Sequence, residues 1–162
     1  MAAVDYFLKV DGIDGESGDA KYKDHIQIES WSWGETQGGA HAAGGGGGAG
    51  KVVMQDFHFV MKVNKASPKL MLACATGQHI AKGTLICRKA GGTQQDFLVV
   101  TMSDLLVSSF QTGGSGGSDV LPIDTCSMNF SKIEIEYKTQ DAKGNVGKPV
   151  KVGYDVKANK KI

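Results

Sequence analysis

The feature that most constrains this chain is a two-residue alternation of apolar and polar side chains that reverses phase twice. Ile26 and Ile28 alternate with Gln27 and Glu29, and Trp31 and Trp33 then alternate with Ser32. Successive side chains of a strand point to opposite faces. A switch of parity between Ile28 and Trp31 therefore needs one extra residue, and the pattern predicts a β-bulge near Glu29–Ser30. The same reversal occurs where Cys126, Met128 and Phe130 give way to Ile133, Ile135 and Tyr137, which predicts a second bulge near Ser131.

Other stretches share the alternation. Phe57, Phe59, Met61 and Val63 alternate with His58, Val60 and Lys62, and Val150, Val152, Tyr154 and Val156 form the expected last strand. Residues 6–10 and 84–89 read as strands. Residues 97–100 are contiguous and apolar, as in a strand covered on both faces, and 104–110 continue it after a bend or bulge at Ser103. Only 68–76 reads as a helix, with Ser67 as N-cap, Pro68 in the first helical position, Leu70, Met71 and Cys74 at helical spacing, and Gly77 as C-terminal cap. Seven or eight strands with one short α-helix indicate a mainly β fold: a closed or nearly closed β-barrel of two packed sheets, in a single domain over 1–162.

Two glycine-rich loops interrupt the strands. In residues 38–50, eight of thirteen are glycine: Gly38, Gly39, Gly44, Gly45, Gly46, Gly47, Gly48 and Gly50, with His41 among them. Such a loop has no side chains to build a core and loses much backbone freedom on ordering. It is either an arm ordered by another molecule or a plain flexible linker. The second loop, milder in composition, carries Gly113, Gly114, Gly116 and Gly117.

Charge and motifs narrow the function. With 18 basic and 17 acidic residues the formal charge is +1, which gives no basic bias toward nucleic acid. No apolar run is long enough to span a bilayer, and Asp5 within the first apolar run argues against a signal peptide. Cys74, Cys87 and Cys126 are odd in number and widely spaced, as reduced core thiols are. Gly45, Gly50 and Lys51 fit a phosphate-loop pattern, but Val52 stands where the magnesium-binding Ser or Thr belongs, and a strand rather than a helix follows. His25, His41, His58 and His79 lack metal-ligand spacing. Glu134 and Glu136 alternate with Ile133 and Ile135, as on a solvated strand face. The residues thus argue for no catalysis, no metal and no cofactor.

An ordered set of segments does point to a family. Val-Asp-Tyr-Phe-Leu-Lys-Val at 4–10, Gly15-Glu16-Ser17 and Trp31-Ser32-Trp33-Gly34 are followed by the glycine run into Gln55-Asp56-Phe57. Then come Ser67-Pro68-Lys69-Leu70-Met71, Arg88-Lys89-Ala90-Gly91-Gly92 and Leu106-Val107-Ser108-Ser109, with the second glycine loop behind them. In this order they resemble the haemolysin-coregulated protein (Hcp) family. The resemblance implies a type VI secretion tube protein of a Gram-negative bacterium, a β-barrel similar to the tail-tube proteins of contractile phages. It implies homohexameric rings that stack into a tube, assembled in the cytoplasm inside a contractile sheath, capped by a spike protein and secreted without a cleaved signal peptide. Small effector proteins would ride in the lumen; neither nucleic acid nor membrane insertion is implied. The two glycine-rich loops become ring-contact or stacking elements. The polar strand face of Gln27, Glu29 and Ser32, which on an isolated barrel is solvated surface, becomes the lumen wall. Two other classes remain open: a monomeric or dimeric ligand-binding β-barrel with a concave apolar pocket, and an enzyme, favoured only by the near-match at Lys51. A family member fused to a toxin domain is not expected at 162 residues.

Overall fold

Two long antiparallel strands near the middle of the chain form its spine. The computed structural model describes residues 4–38, 50–90, 94–117 and 119–162. The elements run β1 (Val4–Val10), β2 (Ile26–Ile28), β3 (Ser30–Ser32), β4 (Glu35–Gln37), β5 (Val52–Met54), β6 (Phe57–Lys62), α1 (Ala66–Thr76), β7 (Ile80–Lys89), β8 (Gln95–Gly113), β9 (Ile123–Gln140), β10 (Val146–Asp155) and β11 (Lys160–Lys161). The main sheet is ordered β11-β10-β9-β8-β7-β1-β2, with β6 added to β9 and β3 to β6. β4 and β5 form a separate ribbon.

The described strands form one nine-stranded sheet and a separate ribbon, not the two packed sheets expected, and β9 changes partner along its length. The first part of β9 pairs with β6, from Phe57↔Met128 to Lys62↔Ile123. Its second part pairs with β10, from Asp155↔Lys132 to Val146↔Gln140. The neighbours of β9 thus change where its inward parity changes. The expected bulge near Ser131 is corrected here. Ser103↔Lys132 and Leu105↔Phe130 keep one register, so neither strand gains a residue. Asp104, opposite this point, has a φ of 52°, in the left-handed region that a short polar side chain tolerates. The register shift lies further along, between Val107 and Ser109, leaving Ser108 as the extra residue.

The bulge expected near Glu29–Ser30 is present. β2 pairs with β1 and β3 with β6, Glu29 donates its N–H to Val60 O at 2.7 Å, and Glu29 and Ser30 are consecutive exposed residues. Residues 26–32 thus carry the wall from β1 across to β6. The fold is mainly β with one helix, but no sheet is closed by hydrogen bonds among the described residues, so the ladders do not draw the expected closed barrel.

Inside the wall Leu8, Ile26, Phe57, Phe59, Met61, Leu85, Met102 and Met128 are buried together, each worth about 1.5–3 kcal/mol against exposure. Trp31 packs on this core, stacked on Phe57 at 5.9 Å, and Trp33 lies 6.3 Å from Phe130. α1 adds Ala66, Leu70 and Ala73. Its Gly77 cap is as expected, at φ 63°, but Ser67 is not the N-cap. Asn64 Oδ1 accepts the Ala66 N–H at 2.8 Å, while Ser67 Oγ donates to buried Asp124 at 2.5 Å and ties the helix to β9. Cys87 and Cys126 are buried free thiols, pushed up to about 12 by burial.

Candidate functional site

Cross-strand partners in antiparallel pairs share a face. Trp31, Phe59, Cys126 and Phe110 are successive partners across β3, β6, β9 and β8, and this row packs on or in the core. One position away, Ser32, His58, Ser127 and Ser109 form the matching row on the other face, with Ser32, His58 and Ser109 exposed and Ser127 buried. The bulge at Ser108 lets two consecutive hydroxyls reach one point: Ser108 Oγ and Ser109 Oγ lie 2.7 and 2.5 Å from Ser127 Oγ. Ser108 Oγ also donates to Asp56 Oδ2 at 2.6 Å, and Asn129 Nδ2 to Asp56 Oδ1 at 2.9 Å. His58 Nδ1 sits 2.9 Å from the Asp56 carbonyl oxygen, which accepts from it in the tautomer that carries the hydrogen on Nδ1. The row is a hydroxyl and amide surface around one carboxylate. Asn129 did not stand out in the sequence; Asp56, in Gln55-Asp56-Phe57, and the serine pair at 108–109 were visible only as family segments, and their convergence with Ser127 required the fold.

Gln27, Glu29 and Ser32 are all exposed, as the polar-face reading expected. They do not form one cluster. Gln27 and Glu29 line a shallow pocket of about 280 Å³ with Glu16, Ser17, Lys62 and Asn64, whereas Ser32 belongs to the His58 row. Lys62 Nζ approaches Glu29 Oε1 at 3.8 Å with both groups half in water, a geometry of little energetic value.

Of the glycine-loop residues, Gly39, His41, Gly44, Gly45, Gly46, Gly47 and Gly48 lie outside the described residues. Gly38 and Gly50 flank the open end of the β4–β5 ribbon. Lys51 leads into β5, a strand, so the phosphate-loop pattern has no helix start behind it. Gly113 ends β8, Gly114 packs against Pro122 and Gly117 turns with φ 75°.

A groove beside the β4–β5 ribbon was not located from the sequence. Trp33, Glu35, Thr36, Gln37, Val52 and Met54 from the ribbon side face Ile133, Ile135, Val152 and Tyr154 across a groove of about 590 Å³. Val150 and Val152, whose alternation matches that of Phe57 and Phe59, are 63% and 65% exposed. Alternation reports which side chains share a face, and says nothing about whether anything covers it.

A family model described as "Type VI secretion system effector, Hcp" matches residues 7–137. Protein hcp1 of Pseudomonas aeruginosa is 43% identical over 159 residues, 97% of this chain and 98% of that protein. The chain belongs to the Hcp family. The crystal structure of Hcp1 from Salmonella typhimurium superposes with a TM-score of 0.80 at 36% identity, covering 100% of both chains. A structure described as that of a type six secretion system protein gives 0.92 at 30% identity, covering 99% of this chain and 100% of that one. The Hcp family match spans both rows across β3, β6, β9 and β8 and stops before β10, the strand that carries Val150 and Val152.

Proposed function

We propose that this Hcp family member is the structural tube subunit of a type VI secretion system, not an enzyme. It forms homohexameric rings that stack into a tube, assembles in the cytoplasm within a contractile sheath under a spike protein, and is secreted without a cleaved leader. The observation that carries this reading is the family match over most of the chain, with 43% identity to an hcp1 protein at nearly full length. In this reading the walls of neighbouring copies complete a closed barrel around a lumen. Gln27, Glu29 and Ser32 belong to the lumen wall, with the hydroxyl row from Ser32 to Ser109 continuing it, and small effector proteins are carried against it. The glycine-rich loops at 38–50 and 113–117 make ring contacts or stack one ring on the next, since glycine lets backbones approach closely.

Light scattering joined to negative-stain imaging tests the proposal. Particles of six chain masses with a central hole are expected. A stable monomer at tens of micromolar overturns it and favours the second reading, a ligand-binding barrel, to which the 590 Å³ groove gives a specific candidate pocket.

A further inference from the structure

Three hydroxyls and one amide on the Ser32–Ser109 face converge on a single carboxylate, and their chemistry fixes the direction of every hydrogen bond among them. An ionised carboxylate only accepts, and an amide nitrogen only donates. Asn129 Nδ2 donates to Asp56 Oδ1 at 2.9 Å, and Ser108 Oγ directs its one hydroxyl proton to Asp56 Oδ2 at 2.6 Å. The 2.7 Å bond between Ser108 and Ser127 therefore takes its proton from Ser127. Ser127 then has none left for Ser109, so the 2.5 Å bond between those two takes its proton from Ser109. The chain runs from Ser109 through Ser127 and Ser108 to Asp56. The bulge makes it possible, because in unbroken alternation residues 108 and 109 point to opposite faces.

The accessible end of this chain is an acceptor. Ser109 is exposed and turns its proton inward to buried Ser127, so it meets a visiting group with lone pairs. Hydroxyl dipoles aligned in series polarise one another, and lengths of 2.5–2.7 Å are those of hydroxyls drawn toward an anion. The charge at the other end is uncompensated. Asp56 is half-buried and its carboxylate receives two neutral donors, with no lysine or arginine among the described residues paired to it. His58, next in the row, meets the Asp56 backbone carbonyl and not its carboxylate. The ion pair between Lys62 and Glu29 is made without Asp56.

A surface with outward acceptors and one unpaired negative charge fits a partner that brings donors and positive charge. We infer that the Ser109–Asp56 chain is a binding surface for the basic face of a small protein, with a lysine or arginine side chain set against Ser109 and Asp56. This rests on the lumen reading above for where the surface lies, and adds to it the kind of cargo the wall selects. In a ring each copy contributes one such carboxylate to the same lumen, and a cleft lined by one sign of charge concentrates the opposite sign.

Labelled acetyl-Gly-Lys-Gly-Lys-Gly-Lys-amide and its glutamate counterpart are the probes, read by fluorescence anisotropy and by the side-chain amide resonances of Asn129. The lysine peptide is expected to bind wild type, to shift the Asn129 resonances, and to bind more weakly as salt is raised; the glutamate peptide is expected to do neither. Asp56→Asn keeps the shape, removes the charge and lets the chain reverse. It is expected to keep the particle size of wild type by light scattering and to weaken the lysine peptide about tenfold. Ser127→Ala keeps the charge and cuts the chain, for an expected loss of about threefold. Should Asp56→Asn fail to fold, Ser109→Ala, at an exposed hydroxyl, serves for the same comparison. Equal binding of the two peptides, no binding of the lysine peptide, or lysine binding unchanged in Asp56→Asn overturns the inference. Wild-type binding by Ser127→Ala leaves a bare carboxylate and overturns the ordered chain. Light scattering separates this from the reading beneath it: rings that do not discriminate the peptides keep the tube reading and remove this surface, whereas a monomeric wild type that selects the lysine peptide keeps the surface and removes the tube.

Discussion

Two excursions leave opposite ends of the strand at 26–32, and they differ in how they are held. Residues 11–25, before β2, are bound back by Arg88. Its guanidinium is almost wholly buried, donates to Asp19 at 3.0 and 2.7 Å and to Asp5 at 3.1 Å, and lies over the rings of Phe7 and Tyr22 at 4.8 and 5.5 Å. Tyr22 in turn donates its hydroxyl to Asp96. Gly15 lies so close to the backbone of His25 that a Cβ there would sit 2.5 Å from its carbonyl oxygen. After β3, the described part of 33–56 is held at its end by Asp56, which accepts from Ser108 and Asn129, and carries no comparable buried ion pair. The described part forms a ribbon paired with itself, and the Gln55 N–H donates to Gly34 O at 2.9 Å. Its outer valine, Val53, is 62% exposed, and the buried Trp33 Nε1 has no hydrogen-bond partner among the described residues. The first excursion is tied to the fold by buried ion pairs, although Arg88 Nε and Asp96 Oδ1 in that anchor also lack hydrogen-bond partners among the described residues. The other presents unfinished apolar and hydrogen-bonding surface, as a part that meets another chain does.

The largest expected effect falls on the first excursion. Arg88→Met strands Asp5 and Asp19 beside an apolar surface and is expected to cost about 3 kcal/mol in urea unfolding. A loss under 1 kcal/mol would show that the guanidinium does not anchor this loop. Gly15→Ala comes next: the clash is with backbone, which cannot swing aside, and overpacking of this kind costs about 2 kcal/mol. Unchanged melting of that variant would mean the loop yields freely.

A pH series sharpens the same side of the comparison. The hydrogen bonds from Arg88 hold the Asp19 carboxyl well below the usual carboxylate range, with further help from the Tyr22 and Lys21 N–H groups against the opposing effect of burial. A carboxyl depressed in the folded state stabilises in full above the unfolded pKa, about 3.9. That contribution drains away as pH falls from there through the folded value. Asp19→Asn is therefore expected to lower stability at pH 7 and to flatten its decline below about pH 4. Parallel acid limbs for the two proteins would exclude the linkage.

Changes to the second excursion are expected to leave the fold nearly untouched. Removing a few glycines from 44–48 alters loop closure by less than about 0.6 kcal/mol, so melting stays put while ring stacking weakens; a melting loss of several degrees would make the arm part of the fold. Ser32→Gln is the mildest. On an exposed strand face it should shift stability within about 0.5 kcal/mol, keep ring size, and reduce the yield of a small effector co-purified with the ring. A ring that fails to form would put Ser32 in a packed joint instead of on the lumen wall.

Much of this protein could be read from local order alone. The bulge near Glu29, the helix stop at Gly77, the half-buried strand from Phe57 and the reduced state of Cys87 and Cys126 follow from backbone periodicity, left-handed geometry and apolar surroundings along the chain. The ordered motifs named the family as well. Tertiary structure decided the rest, because it depends on which distant residue arrives opposite. The phase reversal near Ser131 comes with no extra residue there; the extra residue sits at Ser108, since register belongs to a pair of strands and not to one. Ser67 turned from cap to tether because Asp124, 57 residues away, lies beneath it. Arg88 gained its anchoring role from Asp5 and Asp19, 83 and 69 residues distant. Val150 and Val152 show the limit most plainly: alternation aligned them on the core face, and only the arrangement of the other strands determined that nothing within the described chain covers them.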